Sequence, residues 1–306
     1  MRKILLTGGR GQIGWELQRT LAPFGEIVVV NRQEMDLADP DSIRTRIREV
    51  EPQLIVNAAG YTAVDKAESE PELAMAVNGV APGIIGEEAK KLGATVVHYS
   101  TDYVFDGTKT APYSEEDAPN PLNVYGRTKL AGERALAAVG VPNLILRTSW
   151  VYGARGRNFF LTILRLAGEK KELKVVIDQQ GSPTWCRMVA EVTSHMLAQH
   201  YSLKARAGES MTDFSGLYHV TSSGMTTWHG FAGKILENDI GRKMRSMPEL
   251  ISVSSDDYPL PAKRPQNSCL SNDKLARAYG LKLPSWEKSL TMCFDELAES
   301  PVNNNL

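Results

Sequence analysis

Cysteine is scarce and badly placed for cross-linking. Cys186, Cys269 and Cys293 are odd in number, far apart and without a C-x-x-C pair, which excludes a disulfide framework or a cysteine zinc site and suits a reducing cytoplasm. An excess of either charge is also missing, since 35 Lys and Arg face 36 Asp and Glu for a formal net charge of -1. With no basic surplus and no long run of like charge, nucleic acid is not an expected partner. Long apolar runs are lacking too. The glycines of MRKILLTGGRGQIG cut the first run short of a signal peptide, and no later stretch approaches the roughly 18 apolar residues of a membrane span. Neither secretion nor a membrane is expected. His98, His195, His200, His219 and His229 show no H-E-x-x-H or comparable ligand spacing and read as structural or surface residues. What is present is a chain of 306 residues, 42% hydrophobic and 23% charged, with enough apolar residues to bury a core.

The first half alternates short apolar runs with longer amphipathic ones. KILLT (3–7), EIVVVN (26–31), QLIVNAA (53–59), TVVHYS (95–100) and NLILRTSWVY (143–152) are continuous and β-branched, as strands buried on both faces are. Between them IGWELQRTLAPFG, DPDSIRTRIREV and ELAMAVNGVAPGIIGEEAKKLG carry apolar residues at helical spacing and often close near Gly or Lys. This alternation predicts an α/β fold with a doubly wound, parallel, Rossmann-type sheet over 1–150. After about residue 150 the rhythm loosens into a smaller lobe, 151–306, with helices such as RMVAEVTSHMLAQ and WEKSLTMCFDELAES. KVVID (174–178) and GLYHV (216–220) still look like strands, so this lobe is expected to be interleaved with the sheet, and SPVNNNL reads as a frayed polar tail.

Thr7-Gly8-Gly9-Arg10-Gly11-Gln12-Ile13-Gly14 follows the first strand and opens the first helix. Gly8, Gly11 and Gly14 stand three apart, the spacing of a turn in which backbone closely approaches a pyrophosphate and a helix N-terminus points its N–H groups at the anion. A dinucleotide is therefore expected here, held by Gly8, Gly11, Gln12, Ile13 and Gly14. The second strand ends in Asn31-Arg32, where an acidic residue would repel a 2′-phosphate. A guanidinium can instead pair with that phosphate, so NADPH is expected, with NADH also accepted. Asp36 and Leu37 are placed to flank the adenine, and Ala59, Gly60 and Tyr61 lie where the cofactor backbone passes.

Tyr125 and Lys129, in YGRTK, lie four apart at the start of a helix after the fourth strand. Stepping four residues on from any other tyrosine never reaches a lysine. An ammonium near a phenol favours the phenolate, which suits a tyrosine that gives a proton to a carbonyl oxygen as hydride reaches its carbon. Thr101, in YSTDYVFDG at the fourth strand's end, is the hydroxyl chosen to hold that carbonyl. The same strand carries Tyr99 to the cofactor side. The indole of Trp150 can lie against an apolar ligand face, and Arg264 is a candidate for a pyrophosphate because a guanidinium fork matches phosphate oxygens.

Together the glycine turn, the strand-end hydroxyl and Tyr-x-x-x-Lys resemble the extended short-chain dehydrogenase/reductase family, most of whose members act on nucleotide sugars. GQIGWELQ, NAAGYTAVDKAESEPELA, HYSTDYVFDG, PLNVYGRTKLAGE, RTSWVYG, DQQGSPT and RPQNS carry the resemblance along nearly the whole chain. It implies Thr101, Tyr125 and Lys129 as the catalytic set, with Asp102 and Trp150 touching the sugar. The implied reaction is delivery of hydride from NAD(P)H to the C4 ketone of the dTDP-sugar dTDP-4-dehydro-L-rhamnose, the last step in making dTDP-L-rhamnose for cell-surface polysaccharide. In related 4,6-dehydratases a glutamate stands where this chain has Tyr103, so the base for elimination is lacking. Some members join as homodimers through Mg2+ held by glutamates, and Glu16 matches one such ligand. The resemblance leaves two other readings: a reductase or epimerase of another nucleotide sugar, and a non-catalytic regulator like the subunit of methionine adenosyltransferase. A complete Thr, Tyr, Lys set speaks against the latter.

Overall fold

The computed structural model describes residues 1–207, 215–239 and 246–299; the SPVNNNL tail lies outside them. Five strands come from the first half of the chain: β1 (Lys3–Thr7), β2 (Glu26–Val30), β3 (Leu54–Asn57), β4 (Thr95–Thr101) and β5 (Asn143–Thr148). They form one sheet in the order β5-β4-β3-β1-β2, and Gly216–His219 is added beside β5 as the sixth strand. Every neighbouring pair is parallel. The order reverses between β1 and β3, and at such a point the carboxyl ends of the strands open a crevice.

Side chains alternate across this sheet with the period of two that a strand imposes. Ile4 and Leu6 enter one apolar cluster while Leu5 enters another, and Val56 and Ile55, or Leu146 and Ile145, divide in the same way. The first cluster packs against Leu17 of the helix Gln12–Thr20 and Val189 and Met196 of the helix Cys186–Ala207, and runs on to Leu290 and Phe294. The second takes Ile43 and Ile47 of Pro40–Val50, Ile84 and Ile85 of Ala81–Leu92, and Leu136 of Val124–Val139. Both faces are covered, which is why the strands read as unbroken apolar runs.

Two local expectations need correction. NLILRTSWVY is not one strand: β5 stops at Thr148, Trp150 takes a left-handed φ of 45°, and a new two-residue strand, Val151–Tyr152, pairs with Thr184–Trp185. KVVID does not join the main sheet either, because Glu172–Val176 pairs only with Glu249–Val253 in a separate two-stranded sheet. Leu173 and Val175 are buried while Glu172 and Lys174 between them are exposed, so only one face is covered, unlike the doubly covered strands of the main sheet. No helix among the described residues is long and apolar enough to cross a membrane.

The helix Val124–Val139 is tied to the sheet by a buried ion pair. Arg147 of β5 donates from Nε and Nη2 to the two Glu133 oxygens at 2.8 and 2.7 Å, and both residues are buried. Glu133→Ala leaves the guanidinium buried without its carboxylate and should lower unfolding stability by about 3–5 kcal/mol in urea titration. A loss below about 1 kcal/mol would show that the pair does not anchor the helix.

Candidate active site

The glycine turn is closed by contacts that admit no side chain. Gly8 has φ 69°, and a Cβ there would stand 2.6 Å from the Ala58 carbonyl oxygen; one on Gly14 would stand 2.1 Å from the Gly8 carbonyl oxygen. The Gly11 amide closes the turn onto the Gly8 carbonyl at 2.8 Å. Gly11 caps the following helix with no side chain, which leaves the first-turn N–H groups of Gln12, Ile13 and Gly14 facing outward. Their partial positive charge and the bare backbone fit a pyrophosphate.

A cavity of about 690 Å³ runs from this turn past Asn31, Arg32, Asp36 and Leu37 to Ala59, Gly60 and Tyr61. Arg32 is exposed and lies 3.4 Å from Asp36, four residues on in the loop after β2. Across the adjoining hollow stands Arg10, a second guanidinium that sequence reasoning did not single out. Tyr61 is fixed through its backbone, since its N–H donates to Asn78 Oδ1 at 2.8 Å and its carbonyl accepts from Asn78 Nδ2 at 3.0 Å. Its phenol donates to Glu70 at 2.7 Å. Asn78 lies in a π-helical turn, Ala76–Val80, and also donates to the Thr128 hydroxyl at 3.3 Å. That one side chain joins the cofactor loop to the helix of Tyr125, a link between distant residues that carries no local sequence signal.

A second cavity of about 600 Å³ shares Arg10, Gly11, Ala59 and Gly60 with the first, and its wall includes Gln12, Ile13, Thr101, Asp102, Tyr125 and Lys129. Asn123 begins the helix Val124–Val139 by accepting the Gly126 amide at 2.8 Å, and its Nδ2 donates to the Lys263 carbonyl of the second lobe at 2.8 Å. Gly126 must lack a side chain, because a Cβ would come within 2.1 Å of the Tyr103 carbonyl oxygen. Helix start and strand end are thus pressed together. Tyr125 meets the Tyr103 ring edge to face at 6.0 Å. Gln12 joins the turn to the second lobe, accepting from Asn158 Nδ2 at 2.8 Å.

The charges in this cavity are set mainly by burial. Burial pushes the Tyr125 phenol up to about 12, partly offset by the Thr101 hydroxyl, and Asp102 adds a further rise. Burial brings Lys129 down to about 8, with the Glu133 carboxylate opposing. An ammonium acting on the phenol was the expected arrangement. Instead the Lys129 amine turns to the Tyr99 carbonyl and to His98 Nε2, the latter at 3.4 Å. Asp102 is raised to about 7 by burial, opposed by the Ser268 and Thr101 hydroxyls, and accepts from Thr101 at 3.1 Å.

Four expected contacts are differently placed. The Tyr99 phenol pairs with the Thr193 hydroxyl in the core at 2.8 Å, so the residue offers the site only its carbonyl. Trp150 is stacked on Trp228, centroids 3.6 Å apart and planes 5° apart. A Cβ on Gly181 would stand 2.3 Å from Trp150 Cε2 and 2.6 and 2.7 Å from the flanking ring atoms, which puts Gly181 over the ring's other face. Both indole faces are therefore covered, and Trp150 can present an edge but not a platform. Arg264 is bound by two bonds of 3.0 and 2.8 Å to Asp65 and lines a separate hollow with Trp228. Glu16 is buried against Arg187 at 3.3 Å, and Arg187 also bonds Glu296 at 2.8 Å. A guanidinium already meets both carboxylates, and within the one chain no three acidic, His or Cys side chains gather as a metal set among the described residues.

The profile of the RmlD substrate-binding domain matches residues 1–299. The chain belongs to this family. A dTDP-4-dehydrorhamnose reductase of Burkholderia thailandensis is 46% identical over 298 residues, 96% of this chain and 99% of that protein. The crystal structure of a dTDP-4-dehydrorhamnose reductase of Clostridium acetobutylicum superposes with a TM-score of 0.86 at 34% identity, covering 97% of this chain and 99% of the other. That of the Bacillus anthracis reductase, in complex with NADP, gives a TM-score of 0.84 at 33% identity over 97% and 100%. The family, the glycine turn and the cavity agree on a nicotinamide dinucleotide. Gly14→Ala should weaken its binding by at least about tenfold in a fluorescence titration, a cost of about 1.4 kcal/mol. Unchanged affinity with an unchanged fold would remove the turn from the cofactor site.

Proposed function

We infer that this chain is an NADPH-dependent reductase acting on the C4 ketone of dTDP-4-dehydro-L-rhamnose, the substrate class in its relatives' names. The observation that carries the reading is a single cavity walled on one side by the glycine turn and on the other by Thr101, Tyr125 and Lys129. Bound NADPH supplies hydride to a carbonyl carbon. The chain's own residues hold the ketone and supply the proton. Tyr125, protonated through neutral pH, donates from its phenol to the ketone oxygen. Thr101 shares its hydroxyl between that oxygen and Asp102. Lys129, one turn along the helix from Tyr125, lines the same cavity and fits a ribose hydroxyl. Tyr103, half-buried beside Tyr125 where an eliminating enzyme would need a carboxylate, supplies no base.

Preference for NADPH rests on Arg10 and Arg32, two guanidiniums around one hollow at the end of β2. Arg32 would exchange Asp36 for the 2′-phosphate. The exposed Arg32–Asp36 pair is weak enough for this, since surface pairs are worth about 0–1 kcal/mol. Arg10→Ala with Arg32→Ala should raise the Kd for NADPH by about tenfold or more and leave that for NADH within about twofold. Equal losses for both cofactors would assign the arginines to the pyrophosphate or to folding.

The reaction itself is tested by the loss of reduced-nicotinamide absorbance on mixing the protein with NADPH and dTDP-4-dehydro-L-rhamnose. Tyr125→Phe should bind NADPH normally and turn over about 10²–10⁴-fold more slowly, the usual worth of a positioned acid. Full activity in the variant would move the proton donor elsewhere, with Asp102 next in line. No oxidation by the wild type would move the substrate to another keto sugar.

A further inference from the structure

Thr7, Asn57 and His98 are register partners on three adjacent strands: Thr7 of β1 stands opposite Asn57 of β3, which stands opposite His98 of β4. Partners in a parallel sheet point to the same face, here the one covered by the helix Val124–Val139. Their side chains meet in a line. The Thr7 hydroxyl donates to Asn57 Oδ1 at 2.7 Å, Asn57 Nδ2 lies 3.1 Å from His98 Nδ1, and His98 Nε2 lies 3.4 Å from Lys129 Nζ. All four residues are buried.

The direction of this ladder follows from its first member. The Ala59 backbone N–H, which can only donate, points at the Thr7 oxygen at 3.2 Å. The Thr7 proton then goes to Asn57 Oδ1, which turns the amide NH2 toward His98 Nδ1. Nδ1 must accept, so the imidazole carries its proton on Nε2, facing the lysine. Reversing the amide would leave the Thr7 proton without an acceptor. An N–H aimed at an amine bonds a neutral lysine and opposes an ammonium.

We propose that His98 is a positioning residue for Lys129: the Thr7–Asn57 ladder fixes it as the Nε2–H tautomer, and in that form it places the amine and favours its neutral state. His98 is thus more than the structural residue its spacing in the sequence suggests. Its own burial holds it neutral, well below the usual imidazole range, with Lys129 adding to the effect. The other titratable groups around Lys129 are Glu133 one turn on, already paired with Arg147 of β5, and Tyr125 and Asp102 toward the cavity. None of these changes with the tautomer of His98. The ladder starts in the residue before Gly8 and passes the residue before Ala58-Ala59-Gly60, so the strands that line the cofactor cavity also set the charge of the lysine that faces it.

The role of Lys129 rests on the reductase reading, whereas the tautomer does not, and the tests separate them. Long-range nitrogen–proton NMR of the uniformly labelled protein should show one histidine locked as the neutral Nε2–H form from pH 5 to 9, lost in His98→Gln. An Nδ1–H form for that histidine would overturn the proposal without any assay. Asn57→Asp replaces the amide donor with an acceptor, drives the proton to Nδ1 and offers Lys129 a lone pair. The alkaline limb of NADPH binding, and of turnover where the wild type turns over, should then move up by about one pH unit, a tenfold change in the protonation equilibrium. Limbs in Asn57→Asp and His98→Gln that coincide with the wild type would make His98 a packing residue only. If the wild type binds NADPH but reduces no dTDP keto sugar, the substrate reading fails while both the tautomer and the binding limb still report.

Discussion

The chemistry of this molecule depends on where the helix Val124–Val139 begins and how it is pinned. Three contacts fix it: the Asn123 cap, the approach of Gly126 to the Tyr103 carbonyl, and the buried Arg147–Glu133 pair. The cap sets the first turn, the glycine sets the distance to β4, and the ion pair, two turns further on, sets the rotation about the helix axis. A helix held at both places can deliver Tyr125 to the cavity and Lys129 to the sheet at once. A buried pair is an expensive way to fasten a helix, since desolvation costs about as much as attraction returns. What it adds is a fork that accepts only one alignment.

The substrate side is built differently, by aromatic packing. Trp150 occupies a left-handed φ between two short strands, and its indole fills the gap between Gly181 and Trp228. A strained backbone of this kind costs about 1–3 kcal/mol and persists because the stack and the strand pairing on either side hold it. Phe159 then leans on Trp228 at 4.6 Å and carries the aromatic layer to the hollow that contains Arg264. Trp150 is thus covered on both faces and Arg264 is already engaged by Asp65, so this side of the molecule offers indole edges rather than a platform, and its guanidinium acts as a strut between lobes.

Much of the fold was legible because its cause is local and repeated. A strand buried on both faces has to be apolar at every position, so KILLT and QLIVNAA announce themselves, and glycines spaced three apart after a strand have few other uses. Tyr125 and Lys129 were legible by spacing on a helix. Their electrostatics were not, because the partner of Lys129 is a histidine 31 residues away that only strand register brings near. Arg10, Asn78 and Trp228 were missed for the same reason: each acts across a loop or a lobe boundary. NLILRTSWVY misled because a run of apolar and aromatic residues looks the same whether or not one of them turns the chain, and Trp150 does so without a glycine or proline to mark it.

The alternation of side chains along β4 accounts for how so many functions meet in so few residues. His98 points to the helix face, Tyr99 to the core behind the sheet, and Thr101, two residues on from Tyr99, shares that side but ends the strand, where the crevice opens. The strand therefore serves Lys129 from one side and the cavity from the other, while its Tyr99 carbonyl, lying between them, accepts a hydrogen bond from the lysine amine. A one-residue slip in the pairing of β4 would reverse all of this at once. Register is protected by the apolar pattern on both faces, so the same core that makes the strand stable also makes its polar end accurate. Tyr125, Thr101 and Lys129 are three separate side chains, but their geometry is one consequence of how β4 lies against β3 and β5.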